Sequence, residues 1–210
     1  MKRPVPFVLV AAVLILALGG CSGVHSGRLS TDPEQVEQVL TLRDFPDHAF
    51  DAKAYKADMV LEDDVYVWQD PTADLTGYQA ATVSKFSDRL LPLQDEFSYE
   101  PYVQSFEAAV REALELEEGG PLRLKGALVE CNPGSRMARY LIGMGAGKAA
   151  VAGVIELFEP GKRQPSLRFY GRDTASSGDF GGDSEAMLTH MSHTLGLRMA
   201  ALLEQRLDGR

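Results

Sequence analysis

Gly143-Met144-Gly145-Ala146-Gly147-Lys148 is the run whose residue types most invite a chemical reading. A phosphate loop needs backbone N–H groups converging at a helix N-terminus, a lysine on the phosphate, and a Ser or Thr on its metal. Here Ile142 stands where the first glycine of GxxxxGK belongs, and Ala149 follows the lysine. Val151-Ala152-Gly153-Val154-Ile155 then reads as strand, so the run is expected to be a hairpin turn or packing device. His190 and His193 are three apart and nearly share a helix face, but a metal would need a third ligand, with Asp183 or Glu185 nearest. The Met191 and Leu195 stripe beside them favours boundary histidines instead. Ser176-Ser177-Gly178-Asp179 lacks the strand-turn-helix setting of a nucleophile elbow. Glu62-Asp63-Asp64 reads as a solvated strand edge, and Asp70 and Asp74 lack metal-loop spacing. Cys131, after Leu128-Val129-Glu130, reads as a small buried apolar residue. The sequence thus predicts no catalytic residues, no cofactor site and no metal site, and a chain that is not an enzyme.

Covalent chemistry is expected at one residue, Cys21. Lys2 and Arg3 give a positive start, Phe7 to Leu18 an apolar run too short to span a bilayer, and Gly19-Gly20 a small-residue cleavage site. A cysteine directly after such a site resembles the lipobox of bacterial lipoproteins, in which the thiol takes a diacylglycerol and the freed amine an acyl chain. Several buried chains, at about 0.8 kcal/mol per CH2, make an anchor that does not exchange. Ser22, where an Asp would favour inner-membrane retention, points by analogy to the outer membrane, with the domain facing the periplasm.

Cleavage after residue 20 would remove Lys2 and Arg3 and move the formal charge from -9 to -11. Phosphate backbones repel such a chain, which excludes nucleic acid as a partner. Anionic lipid headgroups repel it as well, so membrane attachment falls to the lipid on Cys21. With Cys21 acylated, Cys131 is left without a disulfide partner.

The elements divide the chain into a signal peptide, 1–20, a tether, 21–54, and one α/β domain, 55–210. Val65 to Trp68 is β-branched and aromatic and reads as a strand, a candidate sheet edge. Lys85 to Leu91 reads as a short helix, and Tyr102 to Leu116 as an amphipathic one. Leu122 to Glu130, Arg139 to Met144, Ala149 to Phe158 and Leu167 to Tyr170 read as strands. Gly126 marks a bulge or a close packing point in the first of these. Leu188, Met191, Leu195, Met199 and Leu202 give the last helix a core stripe. The expected fold is α+β, a mainly antiparallel sheet of about four to five strands with two main helices on one face.

Gly134-Ser135-Arg136-Met137-Ala138-Arg139-Tyr140, the following Gly143 to Ala149 run, and the Ser176 to Asp183 loop resemble domain-of-unknown-function family 4410, a family of bacterial lipoproteins. The resemblance spans residues 58–207 and implies a small α/β domain like those of periplasmic assembly lipoproteins. It carries no assigned activity, so Arg136, Arg139 and Tyr140 match its motif without a role. The expected function is an outer-membrane-anchored lipoprotein whose non-enzymatic domain binds a protein partner of the envelope. The alternative is a small-molecule or envelope-polymer binder working at the Gly143–Gly147 turn and the Gly178–Gly182 loop. The oligomeric state is left open.

Overall fold

Residues Ala149–Phe158 are apolar except for Glu156 and are buried along their whole length, the mark of a strand covered on both faces. The structure is a computed structural model that describes residues 39–94, 97–114, 117–134, 148–175 and 183–209. After a 3-10 turn at Leu42–Asp44 come α1 (Ala52–Tyr55), β1 (Val60–Glu62), β2 (Val65–Gln69) and β3 (Ala80–Val83). Then follow α2 (Glu100–Ala113), β4 (Glu117–Glu118), β5 (Leu122–Asn132), β6 (Ala149–Phe158), β7 (Leu167–Ala175) and α3 (Ser184–Leu207). The strands form one sheet in the order β1-β2-β7-β6-β5-β3-β4, with β6 at its centre.

The α+β class agrees with the sequence, but the sheet is larger than four to five strands and is mixed rather than mainly antiparallel at one end. There β3 runs parallel to both β4 and β5, with α2 lying between β3 and β5 in the chain. The strands missed, β1, β3 and β4, are four residues long or shorter, too short for an alternation of apolar and polar residues to show. The strand expected at Arg139 to Met144 lies outside the described residues.

One sheet face is covered by α2 and α3. Leu122, Leu124 and Leu128 of β5, Val151, Ile155 and Leu157 of β6, and Leu167 and Phe169 of β7 meet Phe106, Val110, Leu188, Leu195 and Met199 of the helices. The two helices come close because Gly196 lacks a side chain. A Cβ there would lie 2.8 Å from the Ala109 Cβ and 2.8 Å from the Phe106 carbonyl oxygen. The N-terminus of α3 is capped by Asp183, whose carboxylate accepts from the Glu185 and Ala186 amides at 3.0 Å. Gly126 is the packing point rather than the bulge, since a Cβ would meet the Phe86 ring at 2.4 Å. The bulge falls between Leu128 and Glu130. Val129 keeps the side of Ala127, and the extra residue then shifts the alternation so that Cys131 falls on the helix side.

The opposite face is covered by residues 39–59, and this moves the start of the folded part. The sequence placed 21–54 in a tether and began the domain at 55, yet Leu42, Phe45 and Tyr55 are buried against Val129, Val154 and Tyr170. Phe45 and Phe50 lie with ring centroids 4.8 Å apart, and Phe50 stacks on Tyr170. Aromatic residues scattered over irregular chain carry no periodicity, so the segment reads as a linker although it packs as a strap.

The Lys85 to Leu91 stretch is not helical. The amides of Ser84 and Ser87 donate to the Leu124 and Gly126 carbonyls of β5, and the Leu128 amide donates to the Ser87 carbonyl. Backbone groups used in this way are lost to a helix.

Candidate functional site

Trp68, Arg168, Glu156 and Lys125 are cross-strand neighbours in one row over β2, β7, β6 and β5, on the face under the strap. The middle pair is buried, with Glu156 1% and Arg168 0% exposed. Arg168 donates from Nη1 to the carbonyls of Leu40, at 2.9 Å, and Tyr55, at 3.2 Å. Its Nη2 donates to Asp58 Oδ2 at 2.5 Å, and the guanidinium lies over the Trp68 and Tyr55 rings, 4.7 and 5.1 Å from their centroids. Glu156 Oε1 accepts from the Leu42 amide at 2.6 Å and from the Tyr55 hydroxyl at 3.2 Å. The pair therefore grips the strap at both ends, mainly through backbone groups.

Burial pushes the Glu156 carboxyl up to about 7, against the Leu42 and Tyr55 hydrogen bonds and the Arg168 and Lys125 charges that hold it down. Burial first, and then the Glu156 charge, drives the Tyr55 phenol well above its ordinary value. Sequence reasoning passed over both Glu156 and Arg168. The available signal was one acidic residue inside an otherwise apolar ten-residue strand.

At the edge of the sheet, β1 and β2 are joined by Asp63 and Asp64, whose φ values of 46° and 63° give a two-residue hairpin of the type I′ kind. The acidic run predicted at a strand edge thus sits on a turn beside that edge, both aspartates exposed. The candidate edge Val65 to Trp68 is an interior strand, because β1 pairs with its outer side. Among the described residues β1 is the outermost strand at this end of the sheet, where Val60 is 65% and Leu61 55% exposed. Glu62 pairs with Arg206 of α3.

A groove of about 400 Å³ runs between residues 85–94 and 97–99 on one side and the first half of α2 on the other, lined in part by Lys85, Leu93, Phe97, Val103, Gln104 and Glu107. Glu107 is fixed in it, accepting from the Phe86 amide at 2.8 Å and from Arg111 Nε at 2.9 Å. Arg89 ties the loop to the strap through the Phe45 and Leu42 carbonyls, and the Tyr99 hydroxyl donates to the Pro92 carbonyl at 2.8 Å.

The residues weighed in the sequence do not gather into one place. His190 is exposed on α3, and His193 lies 3.6 Å from the Glu112 carboxylate. Among the described residues no group of three or more His, Cys, Asp or Glu is placed to hold a metal. Asp70 and Asp74 accept from the amides and hydroxyls of Thr72 and Thr76, closing local turns. Cys131 is buried, and burial pushes its thiol up to about 12. Among the described residues no helix is long and apolar enough to cross a membrane. Cys21, Ser22, Arg136, Arg139, Tyr140, the Gly143–Gly147 turn and the Gly178–Gly182 loop lie outside the described residues.

A mixed sheet with two helices on one face and a packed N-terminal strap on the other defines the molecule as an α+β domain. Residues 94–207, more than half of the chain, match the domain of unknown function DUF4410, and the chain belongs to that family. The strap and β1 to β3 precede the matched residues. No curated protein matches the chain. Among solved structures the chain is similar to the PelC dodecamer from Paraburkholderia phytofirmans, at 12% identity and a TM-score of 0.44, over 68% of this chain and 97% of that one. It is also similar to protein XCC0632 of Xanthomonas campestris, of family DUF330, at 14% identity and a TM-score of 0.40, over 67% and 91%.

Proposed function

We propose that the chain is a lipoprotein, held in the outer membrane by acyl chains on Cys21, whose periplasmic domain works by binding an envelope protein rather than by catalysis. The observation that carries the binding role is the β1 edge, with adjacent apolar residues Val60 and Leu61 exposed on a strand whose outer side has no partner among the described residues. A partner strand added there gains main-chain hydrogen bonds and covers both side chains. Glu156, Tyr55 and Cys131, whose proton affinities are raised chiefly by burial, are enclosed in packing, which supports a non-enzymatic role. The lipobox at Leu18 to Cys21 supports the anchor, and Ser22 the outer membrane.

The test is labelling with palmitate, together with chemical crosslinking in intact cells and mass spectrometry of what copurifies, with Cys21→Ser as the control. One stoichiometric envelope partner, lost with the label in Cys21→Ser, is the expected result. A labelled protein that captures nothing at native abundance would remove the binding reading.

A second reading, a binder of small molecules or envelope polymers, is favoured by the groove beside α2, where Phe97 is half-buried among the polar groups of Lys85, Gln104 and Glu107. Titration with envelope oligosaccharides, followed by calorimetry and repeated with Phe97→Ala, decides it. Saturable heat that disappears in the variant supports this reading, and flat titrations end it.

A further inference from the structure

We infer that the β1 edge takes a basic extended segment, one alternating Lys or Arg with apolar residues, and that Leu61 supplies the backbone pairing; this rests on the binding role proposed above. In a two-residue hairpin the residues flanking the turn, Glu62 and Val65, exchange both backbone hydrogen bonds. Alternation then places Leu61, opposite Tyr66, at a position that makes no bonds to β2. The N–H and C=O of Leu61 therefore point outward, as a two-bond docking point at the middle of the edge. Val60 and Leu61 present apolar side chains to opposite faces of the strand, so an added strand with apolar residues on either face finds one beside it.

Charge selects the sign of the partner. Near the edge, Asp58 is engaged by Arg168 and Glu62 by Arg206, while the Lys56 ammonium lies over the Tyr66 and Tyr170 rings at 4.3 and 4.7 Å. Asp63 and Asp64 are exposed at the hairpin tip and form no ion pair among the described residues. A lysine or arginine on an incoming strand meets these two carboxylates. A second copy of this chain, itself carrying a net charge of -9, brings the same carboxylates and is repelled. Like charge at an edge is also the usual protection of a sheet against self-pairing, and here it leaves the edge open to a basic strand. The edge lies outside the residues that match the family.

The probes are short peptides that alternate lysine, glutamate or serine with valine and leucine, titrated onto the full-length lipidated protein in detergent at low and high salt. Two variants accompany them. Leu61→Pro removes an N–H that the β1–β2 ladder does not use, and proline is tolerated at such edge positions. Asp63→Asn/Asp64→Asn removes both charges and keeps residue types that accept positive φ. The expected result is binding of the lysine peptide, weakened by salt, about tenfold or more weaker in Leu61→Pro with unchanged thermal unfolding. In the Asn pair binding is weaker and its salt dependence smaller, and the glutamate peptide does not bind. Serine and lysine peptides binding alike, both sensitive to Leu61→Pro, would overturn the charge assignment and leave the edge as a docking strand. Binding of no peptide, or binding untouched in both variants, would overturn the inference; a partner still captured in cells would then show that the binding role survives it. Self-association lost in Leu61→Pro would overturn it too, and name a second copy as the occupant.

Discussion

The buried carboxyl of Glu156 makes the stability of this protein depend on pH in a direction opposite to most carboxylates. Its proton affinity rises from the ordinary 4.5 to about 7 on folding. At about 1.4 kcal/mol per pH unit, the charged form is disfavoured in the folded state by about 3 kcal/mol. Between these values the folded state holds a proton that the unfolded chain has released. The stabilisation is therefore full below pH 4.5 and is lost as pH rises through about 7. Glu156→Gln resembles the protonated form. Its carbonyl can still accept from the Leu42 amide and the Tyr55 hydroxyl, and its NH2 replaces Oε2, which has no hydrogen-bond partner among the described residues. The variant is expected to match the natural protein near pH 4.5 and to exceed it at pH 8 by up to about 3 kcal/mol. Urea unfolding followed by fluorescence reads this directly, since Trp68 is the one tryptophan and lies against Arg168. Parallel pH dependence in the two proteins, or a variant less stable at pH 8, would mean that Glu156 is not held protonated by burial.

Four further outcomes follow from the packing. Arg168→Met leaves the Leu40 and Tyr55 carbonyls and the Asp58 carboxylate without their donor, and is expected to cost about 3–5 kcal/mol in urea unfolding. In the same variant, proteolysis should fall first within residues 39–59. Gly196→Val drives a side chain into Ala109 and the Phe106 carbonyl and should destabilise by about 1–3 kcal/mol, measured by the same assay. Cys131 should give no reaction with a thiol reagent at pH 8 in the folded protein and full reaction after denaturation, because its thiol is buried and held near 12.

The parts of the fold that were legible in the sequence are those that repeat. The stripe from Leu188 to Leu202 and the apolar run of β6 both follow from the period of the element they build. The strap was not legible, because Leu42, Phe45 and Tyr55 reach the core from irregular chain and from helices of one turn or less. β3 was hidden for a similar reason: its four residues sit among the turn signals Pro71, Gly77 and Pro92, which leave the stretch ambiguous in sequence. The correct edge could not be chosen from sequence, since the neighbours of Val65 to Trp68 are set by tertiary pairing. Glu62-Asp63-Asp64 was expected on a solvated strand edge, and the hairpin puts Glu62 at the end of β1 and the two aspartates on the turn that follows it. Cys131 was read as a buried apolar residue from its place in a strand, and the bulge explains why it faces the helices.

Photocrosslinking in intact cells shows which face of the domain meets a partner, with a photoreactive residue placed at 61 on the β1 edge or at 197 on the outer side of α3. Leu61 is 55% and Leu197 36% exposed, so both positions reach solvent. An anchored binding module that docks its partner on the edge predicts one envelope protein joined through position 61, not through 197, and lost when Cys21 is changed to Ser. No adduct from position 61, with the protein present at its native level, would contradict it.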